Sequence, residues 1–323
     1  MPTLQIHAAL IYSSCRQGWK ANPWKESVVK KVIVLIPAMI AVIATGCASV
    51  QAKLASAPEA ASVRLSKGTV KVYKFGDIVL HAYKTGDALS DESFILETGK
   101  NLVAIESPVF HSNLKELAEY AKGLKKPLTD ILLANHPNGV DYYDGVDLHL
   151  TGSVVSALAP GGATKGLIDN FTVAFGADFD ASIPAVKANI KPGKVTIGGI
   201  DFVITETATA YDIEIPAINC VYTHMLGANV HSIMVSPAQM DSMIITLESY
   251  KQKGYALVLS GHNEPEKLSD VDVKIAYVKK AKELAAGNKT ADGFIAAMKA
   301  AFPGYFGDNY LGMTAAALFP VSK

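Results

Sequence analysis

Cysteine is scarce in this sequence of 323 residues, which contains only three. Cys15 and Cys47 lie in the first 47 residues, and Cys220 stands alone in an apolar stretch. If Cys47 is the modified N-terminus of a mature chain, as argued below, no pair remains for an internal disulfide bond. No charged residue flanks Cys220 to activate its thiol, so it is predicted to be a small core residue.

Charge is also sparse, because charged residues make up 19% of the chain and the formal net charge is zero. A nucleic-acid-binding protein usually carries a basic surface, so the balance excludes that class and favours a small-molecule partner. Half of the residues are apolar, which is enough for a large core. The length allows one large domain or two small ones.

The sequence has no long hydrophobic run. The longest apolar segment near the N-terminus, VIVLIPAMIAVIA at residues 32–44, has 13 residues and is too short to span a bilayer as a helix. Lys30 and Lys31 precede it, and Thr45, Gly46 and Cys47 follow, which is the order of a signal peptide. The Ala-Thr-Gly-Cys end resembles a bacterial lipobox, in which Cys47 would carry diacylglycerol. The alternative is a buried helix followed by a chance cysteine.

These features divide the chain into four parts. Residues 1–28 do not fit a signal peptide and are interpreted as an untranslated upstream extension, with Val29 as the true start. Residues 29–46 are the predicted lipoprotein signal peptide, and residues 47–66, rich in Ala, Ser and Lys, are the predicted tether. Residues 67–323 form the predicted domain. The mature chain would carry a net charge of −4 and lie outside the cytoplasm, anchored to a bacterial membrane in the periplasm or at the cell surface.

Alternating apolar residues predict strands, and apolar residues at helical spacing predict helices. Ser112 or Asn113 is expected to cap the first helix. This order favours an α+β fold with strands inside and helices outside. The predicted strands lie in a hairpin at 68–85 and at 93–98, 102–107, 128–135, 194–207, 211–218, 219–226 and 255–261, and the predicted helices at 112–124, 236–253, 271–286 and 290–302.

Four histidines lie near or after the ends of predicted strands. His136 and His262 each come directly after a buried strand, and His224 and His231 lie in and after the segment NCVYTHML. Loops at strand ends commonly bind ligands in mixed α/β architectures, and imidazole is the most common metal ligand. The sequence therefore predicts a metal site, and Asp141 is the carboxylate nearest to His136. The alternative for each is an ordinary loop histidine, with residues 138–144 forming a polar turn.

From Thr69 to its C-terminus the sequence resembles the metallo-β-lactamase superfamily. The shared features are an initial hairpin, the acidic strand LVAIES, a helix, a strand into the loop at His136, the segment THML, and YALVLSGHNEP as the final strand and Gly-His loop. The resemblance implies a four-layer αββα sandwich with a metal site along one edge of the paired sheets.

The sequence departs from that family's main motif, His-x-His-x-Asp-His. Aligned from His136, the chain offers Asn138, Val140 and Asp141 at the later positions; aligned from Gly145, it offers Pro137, Gly139, Asp141 and Tyr142. His224 stands where the family has a metal-bridging Asp, and no histidine lies between Glu206 and Tyr211, where the middle one is expected. Only His262 matches outright.

The expected function is a metal-dependent hydrolase with a remodelled site able to hold one metal. Its ligands would be His136, His224 and His262, with Asp141 or Glu206 as fourth ligand or general base and His231 as a further candidate ligand. Zn²⁺ is the expected cofactor, with Fe²⁺ or Mn²⁺ as alternatives, and the small-molecule substrate could be an ester, lactone, amide or phosphodiester. The other hypothesis is a non-catalytic lipoprotein on the same fold that binds a ligand or a protein.

Overall fold

The computed structural model describes residues 57–320. The predicted upstream extension, the signal peptide and the first ten residues of the tether, Cys47 among them, lie outside this range. Within it, no helix combines the length and apolar character needed to cross a membrane.

The first sheet has seven strands that lie side by side in chain order. Its first five strands are antiparallel neighbours, whereas the last two pair in parallel with the strand before them. The strands are β1 (Ala61–Arg64), β2 (Thr69–Phe75), β3 (Ile78–Lys84), β4 (Glu92–Glu97), β5 (Leu102–Ile105), β6 (Leu128–Leu132) and β7 (Asp147–His149).

Strand β1 lies within the stretch assigned to the tether, so the ordered chain begins earlier than the sequence predicts. It pairs with β2 from Ala61 opposite Val72 to Arg64 opposite Thr69. All four of its side chains are exposed. Backbone hydrogen bonds to a sheet edge, rather than burial, form this strand, which is why the hydropathy pattern does not indicate it.

The second sheet has five strands in the order β12, β11, β10, β9, β8. All neighbours are antiparallel except β11 and β12, which are parallel. The strands are β8 (Gly193–Ile197), β9 (Ile200–Glu206), β10 (Tyr211–Ile215), β11 (Cys220–Thr223) and β12 (Leu257–Ser260).

Seven α-helices connect or follow these strands in the described part of the chain. They are α1 (His111–Gly123), α2 (Gly152–Leu158), α3 (Ala163–Phe175), α4 (Pro237–Lys253), α5 (Leu268–Gly287), α6 (Ala291–Ala301) and α7 (Asp308–Leu318).

The two sheets face each other across the main core, and helices cover their outer faces. Alternation along β11 shows this for the second sheet: Cys220 and Tyr222 belong to the main core, whereas Val221 packs with side chains of α4 and α5 on the opposite face. On the first sheet, the His81 ring contacts the Tyr120 hydroxyl of α1. The architecture is therefore an αββα sandwich, and the predicted α+β fold class is confirmed.

The start of α1 differs from its prediction, since neither Ser112 nor Asn113 caps it. The helix begins at His111, preceded by Phe110, whose side chain makes no capping hydrogen bond. Asn113 is buried, and its amide donates to the Tyr83 hydroxyl and to the Thr85 carbonyl. The polar side chain joins the helix to the sheet instead of closing the helix end.

Candidate metal centre

Three of the predicted histidines meet at one edge of the sheet pair. His136 follows β6 of the first sheet, and His224 and His262 follow the parallel strands β11 and β12 of the second. Parallel strands end on the same side, so the residues after them are neighbours. Accordingly, the Gly261 amide donates to the His224 carbonyl at 2.9 Å, and the Ser260 hydroxyl donates to it at 3.1 Å.

The imidazole nitrogens are close enough to share one cation. The Nε2 atom of His262 lies 3.3 Å from that of His136 and 3.0 Å from that of His224. One ligand nitrogen from each of the three side chains lies within 4.8 Å of the others. Nitrogens bound tetrahedrally to zinc at about 2.0–2.1 Å are separated by about 3.3 Å. The three side chains therefore fit a single ion of that size.

The hydrogen-bond pattern leaves the lone pair of His262 Nε2 free. Its Nδ1 atom lies 3.1 Å from the Leu89 carbonyl, to which it must donate, because a carbonyl oxygen only accepts. Burial lowers the pKa of His136 well below its usual value and that of His224 to about 3, and nearby His262 adds to both shifts. Neutral imidazoles are the form that binds metals.

Asp91 stands behind His262 and was not predicted from the sequence. It is fully buried, and its Oδ1 atom lies 3.2 Å from His262 Nδ1. Neither oxygen accepts a well-directed hydrogen bond from the described residues. Burial, the largest single cause, lowers the pKa of His262, but Asp91, the Leu89 carbonyl and Glu106 together raise it above its usual value. A carboxylate behind a histidine ligand is the usual second layer of a metal site.

Glu106 fixes the loop that carries His136. Its carboxylate accepts hydrogen bonds from the amides of Asn135 at 2.7 Å and His136 at 2.6 Å, and from that of Ala134 at 3.2 Å. The Tyr222 hydroxyl of β11 donates to the same carboxylate at 2.7 Å. One buried side chain thus holds together the two sheets at the point where the imidazoles meet.

Gly261 lies where these rings approach the backbone closely. A Cβ atom there would lie 3.1 Å from the Tyr222 hydroxyl oxygen and 3.2 Å from ring carbons of both His136 and His224. Such contacts are tighter than ordinary van der Waals distances. The Gly-His pair in the sequence therefore reflects crowding at the site.

The other predicted ligands do not join the three imidazoles, whose group contains no carboxylate within residues 57–320. Asp141 is exposed in a short 3-10 turn, and Asp180 organises its loop by accepting from the Gly139 amide. Glu206 is exposed and accepts from the Ser153 amide at 2.8 Å, in the first turn of α2. His231 is buried among the C-terminal helices, with Nδ1 3.1 Å from the Tyr277 hydroxyl. In the structure Glu206 and His231 therefore make other contacts and Asp141 is exposed, and none of the three lies in the imidazole group.

A cleft of about 650 Å³ opens beside His262. Its walls come from the loop between β3 and β4, from the segment after β11, from the loop after β12 and from the start of α7. Phe306 is two-thirds exposed there, at 67% of its surface. The cleft provides a binding space for a small molecule next to the imidazole group.

No protein-family model matches this sequence, and no relative of curated function matches it either. Solved structures do match. The stereoselective inverting sec-alkylsulfatase Pisa1 from Pseudomonas sp. is 14% identical with a TM-score of 0.52, over 77% of this chain and 49% of that one. A metallo-beta-lactamase family protein from Thermus thermophilus is 13% identical with a TM-score of 0.52, over 75% of this chain and 91% of that one.

The chain thus spans about half the length of the alkylsulfatase and most of the length of the Thermus protein. At these identities the likeness concerns the fold alone. It confirms the expected metallo-β-lactamase fold.

Proposed function

We propose that this protein is a metal-dependent hydrolase that binds one divalent cation between His136, His224 and His262 and acts on a small molecule. The observation that carries the proposal is the approach of the His136 and His224 Nε2 atoms to His262 Nε2, at 3.3 and 3.0 Å. Two imidazole N–H groups cannot both donate well to one lone pair, whereas a cation can accept a lone pair from all three rings.

Three protein ligands with one open position are typical of catalytic zinc sites, whereas structural sites use four. A bound cation would polarise a carbonyl or phosphoryl oxygen and lower the pKa of a water molecule. Imidazole ligands suit Zn²⁺ and also Fe²⁺, with Mn²⁺ as a further alternative.

The surrounding side chains each have a part in this proposal. The Leu89 carbonyl and Asp91 orient the His262 ring, since both lie next to its Nδ1 atom. Glu106 orients the backbone at His136 through the amide hydrogen bonds of that loop. The cleft beside His262 receives the substrate.

A single cation is favoured over a pair. Two neighbouring dications need negative ligands to offset their charge. The imidazole group includes no carboxylate from the described chain, and Asp141 lies on an exposed turn outside it.

The same lack of a carboxylate favours a second candidate function, a non-catalytic protein that uses the cleft to bind a ligand or a protein partner.

A measurement of metal content distinguishes the hydrolase from the non-catalytic binding protein. Protein expressed from the full sequence and purified without chelator should carry about one equivalent of metal. Less than about a tenth of an equivalent, with no gain on adding zinc, iron or manganese, would favour the second function.

His262→Ala should abolish metal binding, because it removes the ligand shared by both short nitrogen pairs. His111→Ala is the matched control, since His111 lies outside the group and contacts the Tyr142 hydroxyl. Equal metal content in the two variants would place the metal elsewhere.

We further propose that the protein is anchored by a lipid on Cys47 at a bacterial membrane, outside the cytoplasm. The support is the order of basic pair, apolar run and small residues before Cys47. The exposed strand β1 begins only 14 residues after Cys47, so the tether would hold the domain close to the membrane.

A further inference from the structure

We infer that an apolar rim beside the cleft contacts the lipid bilayer and turns the mouth of the cleft toward it. The rim consists of Ile233, Val235, Phe306 and Met313. This inference rests on the proposed lipid anchor at Cys47 and goes beyond it, because an anchor alone does not fix which face of the domain meets the bilayer. It depends on the exposure of the rim, on its lack of charge and on the place where the chain enters the domain.

The rim begins at the wall of the cleft and continues along α7. Its four side chains are large, apolar and 40–67% exposed. Phe306 and Tyr310 line the cleft, and Met313 follows Tyr310 by one turn on the same face of α7. An exposed apolar surface of this kind beside a binding space usually marks a site of interaction.

The segment before α4 places the other two side chains of the rim beside α7. The Thr314 hydroxyl of α7 donates to the Ser232 carbonyl at 2.8 Å and accepts from the Met234 amide at 2.9 Å. Met234 is buried among the C-terminal helices, whereas Ile233 and Val235 on either side of it are exposed. Hydrogen bonds therefore hold the two parts of the rim next to each other.

The backbone also fixes Phe306 in the rim. Its amide donates to the Asn229 carbonyl at 3.0 Å, and its carbonyl accepts from the His231 amide at 2.8 Å. The exposed ring is thus held at the surface by a backbone that is already ordered. Binding of an apolar partner would cost little further ordering of the chain.

The rim brings no unpaired charge against a bilayer. Its own side chains are uncharged, and Asp308, the one charged residue of α7, pairs with Lys299 of α6 at 2.6 Å. Contact with acyl chains therefore does not strip water from a lone charge. A bilayer accepts apolar side chains without matching hydrogen bonds, whereas a protein partner normally meets a polar border around an apolar centre.

The chain enters the domain near the same cleft. Ser62 of β1 lies opposite Lys71 of β2, and the Lys71 ammonium lies 2.7 Å from the Glu264 carboxylate. Glu264 and Phe306 both line the cleft. One residue pair of the sheet and one ion pair thus connect the first strand to the cleft that the rim borders.

The short connection to Cys47 keeps the rim within reach of the bilayer. Strand β1 begins 14 residues after Cys47. A chain of this length spans at most about 50 Å. An anchored domain therefore meets the bilayer at a high effective concentration, so a contact by four apolar side chains suffices to orient it.

Tryptophan probes in the lipidated protein test the contact. No tryptophan lies in residues 57–320, and Trp19 and Trp24 precede Cys47, so protein without a probe supplies the background. Phe306→Trp and Met313→Trp are expressed from the full sequence and reconstituted into phosphatidylcholine vesicles. Vesicles whose acyl chains carry bromine should quench both probes, because interfacial side chains lie about 5–10 Å into the boundary between headgroups and acyl chains.

Ile245→Trp is the matched control, because Ile245 is 70% exposed on α4 and lies outside the rim. Quenching of the two rim probes should exceed quenching of this control at least about threefold. Equal quenching of all three would overturn the inference. The neighbours of Ile245 at three and four residues along the helix are polar, namely Asp241, Ser242, Glu248 and Ser249.

Two other results would assign the rim or the bilayer a different partner. Val173 of α3 is also exposed, and stronger quenching of Val173→Trp than of the rim probes would place α3 against the bilayer. Rim probes whose emission is blue-shifted but not quenched would show that a second copy of the chain covers the rim. Either result overturns the inference.

A charge placed in the rim provides an independent test. Ile233→Glu should lower the quenching of Met313→Trp by about half or more, because a carboxylate is costly to bring against acyl chains. Ile245→Glu should leave that quenching unchanged. Unchanged quenching in Ile233→Glu would contradict the inference.

The anchor and the rim can fail separately. Quenching that is absent from palmitate-labelled protein overturns the inference and leaves the anchor in place. Protein without label refutes the anchor, and it is then mixed with the same vesicles at about 10 mM lipid, where the rim probes should still be quenched more than the control. Absence of quenching there overturns the inference as well.

Discussion

The carboxylate of Asp91 is fully buried, and the His262 imidazole is the group paired with its charge. The 3.2 Å between Oδ1 and Nδ1 is close enough for the charge to hold the ring with Nε2 turned toward His136 and His224. This arrangement would strengthen metal binding without contact between Asp91 and the metal.

Asp91→Asn should therefore weaken zinc affinity by about 10- to 100-fold, because the neutral amide no longer supports the His262 ring. Competition with a chromophoric chelator measures this change. Asp201→Asn is a suitable control, since the exposed Asp201 side chain of β9 accepts from the Thr196 hydroxyl of β8. Unchanged affinity in Asp91→Asn would show that the carboxylate does not support the ligand.

The sequence could predict the three imidazoles but not the groups that hold them. His136, His224 and His262 follow or end strands, and strand ends of a sheet pair meet at one edge. Asp91 lies in a hairpin loop 171 residues before His262, and no local pattern indicates their contact. Nor does any local pattern indicate that the exposed Glu206 carboxylate accepts from the first turn of α2.

At the scale of an element, one side chain shapes the loop between β6 and the site. Glu106 accepts three successive amides of that loop, and the Tyr222 hydroxyl ties it to β11. Its own backbone has a φ of 61°, a conformation that non-glycine residues rarely adopt. The hydrogen bonds of this carboxylate must offset both its burial and that local cost.

Glu106→Gln should lower the free energy of unfolding by about 1–3 kcal/mol, because one oxygen acceptor becomes an amide donor that faces buried donors. Urea unfolding measures the loss, and metal content should fall with it as the His136 loop shifts. Glu119→Gln on the surface of α1 serves as the control. A Glu106 variant with the control's stability would mean that the loop does not depend on this carboxylate.

The long periodic elements could be predicted, while the short or weakly patterned ones could not. Both hairpins and helices α4 and α5 agree with the apolar pattern within a few residues. Strand β7 has only three residues, and α7 buries Leu311, Thr314 and Ala315, a mixed set with little apolar contrast. Packing against α6, rather than its own sequence pattern, accounts for α7.

At the scale of the whole molecule, the Lys274 side chain is buried inside the C-terminal helical layer. Its ammonium donates to the Val230 carbonyl at 2.7 Å and to the Ser232 hydroxyl at 3.0 Å, and lies 4.7 Å from the Tyr277 ring centre. Burial lowers the pKa of Lys274 from 10.5 to about 7, although Glu266 opposes this shift. The residue joins α5 to the segment between β11 and α4.

This shift predicts a pH dependence of stability. Between about pH 7 and 10.5 the unfolded chain binds a proton at Lys274 that the folded chain lacks, so the folded state gains stability as pH rises through this window. Below about pH 7 the full cost of the buried charge remains. Urea unfolding of the natural protein and of Lys274→Met should show their difference moving in favour of the natural protein with rising pH. Parallel curves would contradict the shift.

The proposed anchor predicts where the whole molecule resides. Expressed from the full sequence in a bacterium, the protein should partition into the detergent phase and incorporate radiolabelled palmitate, because diacylated chains bind membranes stably. Cys47→Ser should abolish both properties, whereas Cys220→Ser should retain them, since Cys220 is buried in the core. Label in the Cys47 variant would refute the anchor.

Because the three imidazoles come from both sheets, a bound metal would link the stability of the fold to the supply of that metal. His136 comes from one sheet and His224 and His262 from the other, so a shared ion would cross-link the halves of the sandwich. Each tenfold rise in free metal above the Kd would then add about 1.4 kcal/mol against unfolding. Scarcity of that metal would expose the chain to proteases, and the lifetime of the protein in the cell would follow the supply of the ion.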